Sequence, residues 1–441
     1  MRDGRVQARL EWRFGGGPWS AWPAGPERRL RRGIVALPAC PGWNDRPIEV
    51  RAIAAGARPS APSHVHVRPA RWMRDVEAMI GDQPLSVSVM ADGAFVYGHL
   101  ADVRRAPASN EKLLLSMALL DRLGPDARLP TEAAIRGRLR DDGVVEGDLF
   151  LRGTGDPELD AGDLRRLAAR LVAAGLRRVA GSVVGDTGTF VRDRSAPGWH
   201  PIALRYVGLP TALSFEGNVD ADGYVFDPER RAAAVLTAEL RSLGVRIGEP
   251  SRATDGAPNV LRPIASVRSA PLGPILRRQN VSSDNQAAET LSKMLSTEVL
   301  GRGTIAGGAR VIEDRANDLE AGVILHDASG LSYRNRVSTA SMAALLDDAL
   351  GRSWGDALRG SLPAPGEGTL GGRLAGLRVR AKTGTLIRDV SALSGYVRLR
   401  DGGLASFSII SGLPKGEAVS LEDAIVRAIA GHVEADERRS G

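Results

Sequence analysis

Cysteine and lysine are the scarce residues of this 441-residue chain. A single cysteine, Cys40, excludes an internal disulfide. Only four of the 59 cationic side chains are lysines (Lys112, Lys293, Lys382 and Lys415), so arginine is the default cation. Arginine cannot release its proton near neutral pH and a buried lysine can, so each lysine raises the question of what arginine could not do there. Aromatic residues make up 4%, and five of the seven tryptophans (Trp12, Trp19, Trp22, Trp43, Trp72) crowd into the first 72 positions, which marks a separate module at the front. No uncharged apolar run reaches eighteen residues, which excludes a membrane-spanning helix. The opening MRDGRVQARLEWRF has no apolar core segment, so no signal peptide is visible. Six histidines are scattered, and His64 with His66 reads as a surface pair without a third ligand, not as a metal site. The net charge is +7, but the arginines are interleaved with acids and form no basic stripe with stacking aromatics. That argues against a nucleic-acid partner and for a weak attraction to an anionic polymer or membrane surface.

With 43% apolar and 25% charged residues the chain is an ordinary globular one, long enough for two to four domains at roughly 150 residues each. Residues 1–70 read as short alternating strands between Gly- and Pro-rich joints, a small β-rich module. From 71 the pattern changes to a helix with Trp72, Val76, Met79 and Ile80 on one face, then a hairpin turning at Asp92-Gly93. A strongly apolar helix follows Pro107 and ends at Gly124. The middle mixes strands and helices, 266–350 is mostly helical, and strands return at the end. An N-terminal hairpin joined to C-terminal strands and covered by helices is an α+β domain. The expected division is this α+β domain from 71–135 and 265–441, with 136–264 as an inserted α/β region.

Three short motifs occur in order: Ser109-Asn110-Glu111-Lys112, Ser283-Asp284-Asn285 and Lys382-Thr383-Gly384. With four lysines in the chain, about 0.02 accidental K-T-G is expected, so two of the four falling in such motifs is informative. Ser109 opens a helix, where backbone N–H groups point outward, and Lys112 lies three residues on along the same face. A serine hydroxyl becomes a nucleophile when a neighbouring base takes its proton, and a lysine whose pKa is lowered by burial and a nearby cation can do so. Lys382 is expected to supply that cation and to attract a substrate carboxylate together with Thr383. Ser283 can relay a proton to the leaving group, and Asn285 can hydrogen-bond the substrate amide. Gly384, on an edge-like strand, leaves room for a peptide to pair alongside, and the N–H groups of Ser109 and Thr385 could form an oxyanion hole.

These motifs are the set shared by penicillin-binding proteins and serine β-lactamases. Further stretches extend the likeness: Gly147-Asp148-Leu149, Gly153 to Pro157, Asp186 with Phe190, Ala196-Pro197-Gly198-Trp199, Ser329-Gly330-Leu331-Ser332 and Gly368-Thr369-Leu370. Over about residues 75–435 the chain resembles the class C low-molecular-mass penicillin-binding proteins, the D-alanyl-D-alanine carboxypeptidase/endopeptidase family. The resemblance implies a serine β-lactamase/penicillin-binding-protein-like transpeptidase fold with an inserted region, and no metal or organic cofactor. It implies an acyl-enzyme on Ser109, peptidoglycan stem peptides as substrate, covalent binding of β-lactam antibiotics and a place of action outside the cytoplasmic membrane. The sequence also departs from the family. The gap between Ser109 and Ser283 is shorter than in its longer members. Tyr333 stands where the family writes the Arg of S-G-L-S-R, with Arg334 one place later, and the acidic residue before A-P-G-W is offset to Asp193. The last two departures bear on the pocket for the stem-peptide side chain.

Two alternatives are weighed. A class A β-lactamase carries the same motifs plus a Glu that positions the deacylating water, and Glu313 to Asn317 mimics its spacing without the Leu. A wall-binding protein with a relic site would be expected to have lost one of the motif lysines. The balance between carboxypeptidase and endopeptidase action stays open.

Overall fold

The computed structural model describes residues 8–14, 20–21, 48–54, 58–65, 70–258, 260–399 and 402–431. Trp19, Trp22, Cys40, Trp43 and His66, which the reading of the front module draws on, lie outside the described residues. What is described there is a sheet of β1 (Ala8–Phe14), β2 (Ser20–Ala21), β3 (Ile48–Ala54) and β4 (Ser63–Val65), in the order β2-β1-β3-β4. The two long strands pair antiparallel over seven residues, with Glu11 opposite Arg51.

Helix α1 (Arg71–Ile80) buries Trp72, Val76 and Ile80, an i, i+4, i+8 stripe, and leaves Met79 39% exposed, off the expected face. It leads into the hairpin β5 (Leu85–Ala91) and β6 (Ala94–His99). Asp92 and Gly93 both have positive φ, as a two-residue turn matched to strand twist requires. A single 3₁₀ turn, Ala108–Asn110, then runs into α2 (Glu111–Leu123). Every residue from Glu111 to Leu120 is buried, so α2 is the central helix of the domain.

The inserted region follows. Its elements are β7 (Pro130–Ile135), β8 (Val144–Val145), β9 (Leu149–Gly153), α3 (Ala161–Ala173), β10 (Arg178–Val179) and β11 (Val183–Asp186). Next come the pair β12 (Val219–Asp220) and β13 (Gly223–Tyr224), then α4 (Pro228–Ser242), β14 (Arg246–Ile247), β15 (Arg252–Thr254) and β16 (Arg262–Arg268). The main sheet has the order β15-β11-β9-β7-β16, parallel on one side and antiparallel where β7 meets β9 and β16. Pro130 pairs with Arg268 and Ile135 with Arg262, so this unit runs from 130 to 268. The expected boundaries at 136 and 264 cut through that pairing and are corrected outward.

The chain then returns to the first domain as α5 (Leu272–Ser282), α6 (Asn285–Leu300), α7 (Ile305–Asn317), α8 (Thr339–Leu350) and α9 (Gly355–Ser361). Strands β17 (Val379–Leu386), β18 (Val390–Arg398) and β19 (Leu404–Ser411) and helix α10 (Lys415–Ala430) complete it. The sheet order is β17-β18-β19-β5-β6, antiparallel throughout, so the two ends of the domain close one α+β body and β17 is an edge strand. On one face, Val87, Val89, Phe407 and Ile409 pack with α1 and α10. On the other, Ser88 and Ser406 bond to Thr339 and Ala343 of α8, and these small side chains let the helix lie close.

Candidate active site

The nucleophile sits on a strained turn. Ala108 has φ +47, outside the range ordinary residues prefer, and this presents Ser109 half-buried just before α2. Two glycines permit it. A Cβ on Gly330 would lie 1.9 Å from the Ala108 carbonyl oxygen, and Gly330 itself has φ +82. A Cβ on Gly384 would meet Pro107 O at 2.9 Å and Ser109 N at 3.0 Å. The expected reason for Gly384, room for a pairing peptide, is therefore replaced: the glycine lets β17 approach the Ser109 turn. Asn110, which the motif reading passed over, ties the same parts together, its amide donating to Lys382 O (2.7 Å) and accepting from Ser394 N (3.2 Å).

Lys112 is fully buried, and its Nζ donates to Ser109 Oγ (3.0 Å), Asn285 Oδ1 (2.7 Å) and Ser329 O (2.6 Å). Burial pushes its pKa down to about 8, while Asp327, Glu289, Asp284 and Glu111 pull it back up. Desolvation thus does what a neighbouring cation was expected to do. Ser283 occupies the left-handed C-cap of α5 (φ 60), Asp284 caps α6 through Ala287 N (3.0 Å), and Asn285 opens α6. That tight corner turns Ser283 to Lys382 Nζ (2.9 Å) and Asn285 to Lys112. The Asn285 Nδ2 group donates to Tyr206 O (3.1 Å), so the inserted region reaches the site. Lys382 is fully buried, also donates to Thr383 O (2.7 Å), and is driven well below the usual lysine range by burial and then by Lys112. Ser109, Lys112, Ser283, Asn285 and Lys382 are thus brought together, 273 positions of chain apart at the extremes.

On the edge strand β17, Thr383 is half-buried, Gly384 buried and Thr385 exposed. Tyr333 lies at the far end of this strand, packed against the cluster of Ala106, Ala108 and Leu386, and its hydroxyl accepts from Arg388 N (2.9 Å). Arg334 is exposed and runs past Gly198 of the A-P-G-W loop. Asp193 is already engaged: it pairs with the buried Lys293 and accepts from Ile305 N (2.8 Å) at the start of α7. Asp193, expected to bind substrate, is here engaged in fastening the inserted region to α6 and α7. Lys293 also donates to the carbonyls of Val191, Asp193 and Pro210, a cluster suited to a compact ammonium. Glu313 is likewise spent, accepting from Leu325 N (2.7 Å), while Asn317 bonds the backbone of Val323. The backbone oxygen of Ser329 was invisible to motif reasoning, because a carbonyl leaves no signature beyond the neighbouring Gly330.

A serine held against a buried lysine, with a second lysine on the facing edge strand, defines an acyl-transferring serine enzyme. Comparisons with known proteins make the class specific. The model of the D-Ala-D-Ala carboxypeptidase 3 (S13) family matches residues 72–219 and 216–431. The D-alanyl-D-alanine carboxypeptidase of Actinomadura sp. (strain R39) is 29% identical over 472 residues, covering 85% of this chain and 87% of that one. The carboxypeptidase DacB of Mycolicibacterium smegmatis is 32% identical over 354 residues, covering 72% and 74%. Penicillin-binding protein 4 (dacB) of Haemophilus influenzae shares the fold, with a TM-score of 0.70 at 21% identity, over 81% of this chain and 99% of that one. The same protein complexed with a β-lactam gives a TM-score of 0.66 at 20% identity. The chain belongs to the D-Ala-D-Ala carboxypeptidase 3 (S13) family and is a serine-type carboxypeptidase of that class.

Proposed function

We propose that Ser109, activated by the neutral amine of Lys112, attacks the carbonyl of the penultimate D-alanine of a peptidoglycan stem peptide and forms an acyl-enzyme. One observation carries this reading. Two of the three partners of Lys112, Asn285 Oδ1 and Ser329 O, can only accept. The neutral amine keeps an N–H on each, and its lone pair is left facing Ser109 Oγ at 3.0 Å, within range for proton transfer. The tetrahedral oxyanion sits between the N–H groups of Ser109 and Thr385, and Lys382 with Thr383 holds the substrate carboxylate. Ser283, hydrogen-bonded to Lys382, passes the proton to the departing amine. Water then releases the acyl group. Tyr333 and Arg334, at the far end of β17, contact the stem-peptide side chain.

The same attack on a β-lactam carbonyl leaves a long-lived adduct, in keeping with the β-lactam complex of the Haemophilus relative. Glu313, the residue whose spacing mimics the deacylating Glu of class A β-lactamases, is engaged by Leu325 N, which argues against fast β-lactam turnover. The relic-site reading is disfavoured by the complete hydrogen-bonded set. Stem peptides lie outside the cytoplasmic membrane, and the enzyme acts there; among the described residues no helix is long and apolar enough to cross a membrane. The test is incubation with purified pentapeptide and cross-linked muropeptides, read by mass. Loss of one D-alanine from the pentapeptide is expected, and cleavage of D-alanyl cross-links would add endopeptidase action; unchanged substrates, with folded protein, would refute the reading.

A further inference from the structure

Three carboxyl groups from three separate elements meet beside Lys112: Glu111 at the start of α2, Glu289 on α6, and Asp327 just ahead of Ser329. All three are fully buried. Asp327 is rich in donors, accepting from Trp199 Nε1 (2.6 Å), Asn335 Nδ2 (2.7 Å), Ser332 N (2.9 Å), and Gly330 N and Ser329 Oγ (3.3 Å each). Glu289 Oε1 accepts from Ser329 N (2.7 Å) and Ala328 N (3.0 Å). Among the described residues Glu111 has a single donor, Asn335 Nδ2 on Oε2, and Glu111 Oε1 and Glu289 Oε2 have none.

An ionised carboxylate oxygen buried without a donor is costly, and a proton on it removes the charge and creates a donor. The charge balance points the same way. Three buried anions around one buried amine would clamp Lys112 as an ammonium and deny it the role of base. Within this group Asp327 is the saturated acceptor, and the Asn335 Nδ2 group donates to both Glu111 Oε2 and Asp327 Oδ1, so the two carboxyls lie side by side. Burial and the charges of Asp327 and Glu289 push the Glu111 carboxyl well above the usual range, with Lys112 opposing.

We propose that Glu111 is kept as the neutral acid, its Oε1 proton donated to Asp327, and that in this form it positions the Ser329–Ser332 loop and leaves Lys112 free to act as a base. Glu111 is a positioning residue, acting through Asp327 and Lys112 without touching substrate. The charged groups that face it are Lys112, Asp327 and Glu289, and Lys112 is in turn faced by Asp284 and Lys382. The effect on Lys112 rests on the acyl-transfer reading above; the protonation of Glu111 does not.

The experiment uses the full chain with labelled penicillin, following the acylation rate against pH. Glu111→Gln exchanges one neutral donor for another, so the rate is expected to stay within about threefold and the midpoint of its acid limb to stay in place. If Glu111 were ionised, that variant would delete a buried negative charge, and the midpoint would fall by about one pH unit or more, overturning the proposal. Glu111→Leu removes the donor and is expected to slow acylation about tenfold; a Leu variant as fast as Gln would overturn the positioning role. A readout independent of catalysis is the carboxyl ¹³C spectrum of the wild type with labelled glutamate at pH 9. One glutamate there is expected to stay neutral and to vanish in either variant, whichever folds. A Glu111 signal at the ionised position overturns the proposal even if no penicillin is bound, whereas absence of acylation with a neutral Glu111 refutes the proposed chemistry instead.

Discussion

Replacing Ser109 by alanine removes the hydroxyl to which Lys112 donates, and labelling by penicillin is expected to fall below detection. Lys112→Arg keeps a cation but loses the ability to accept a proton, so acylation should drop on the order of 10²–10⁴-fold, measured by stopped-time labelling. In the proposed mechanism the active form of Lys112 is the neutral amine, and burial pushes its pKa down to about 8. The acylation rate should therefore rise with pH through about 8 and fall about tenfold for each pH unit below it. A rate independent of pH between 6 and 9 would contradict the base role. These residues were legible in the sequence because lysine is scarce enough for its positions to carry information. Asp193 was not: its partner Lys293 lies 100 positions away, and nothing local reveals that the carboxylate is already paired. The burial of Glu111 was hidden for the same reason, since Ser followed by Glu also reads as an ordinary helix cap.

The elements that hold Ser109 are a 3₁₀ turn wedged between an edge strand and a loop, each contact made at a glycine. Gly384→Ala places a methyl 2.9–3.0 Å from Pro107 O and Ser109 N, so the turn must shift by a few tenths of an ångström. Acylation is expected to fall about tenfold or more with the fold retained, checked by circular dichroism beside the labelling rate. Gly330→Ala is more severe, with a 1.9 Å approach to Ala108 O at a positive φ, and should destabilise the protein by at least about 2 kcal/mol in denaturant unfolding. Local pattern revealed the β5–β6 hairpin, because Asp-Gly suits its turn. It could not place the edge of the inserted sheet. Strands β7 and β16 alternate like any other strand, and only their pairing across more than 120 positions assigns them to that unit.

Across the whole molecule, the inserted unit is fastened to the catalytic body where it meets the active site. Lys293 of α6 grips the 191–193 segment, Trp199 bonds Asp327, and the Tyr206 carbonyl receives Asn285. Lys293→Met leaves Asp193 without its cation; since that side chain is 29% exposed, the cost is discounted to about 2 kcal/mol. A lower melting temperature with acylation largely preserved below it is expected, whereas an unchanged melting temperature would show the pair to be dispensable. The overall α+β plan was legible because strands at both ends of the domain demanded a shared sheet. How the insert meets the cleft was not, because its contacts there run through backbone carbonyls and a tryptophan N–H. The central claim is that three distant segments form one acylation centre. It is tested most directly by intact-protein mass after exposure to benzylpenicillin, followed by peptide mapping. One added penicilloyl group on Ser109, absent from the Ser109→Ala protein, is the result expected. A folded protein that gains no mass, or gains it on another residue, would contradict the account.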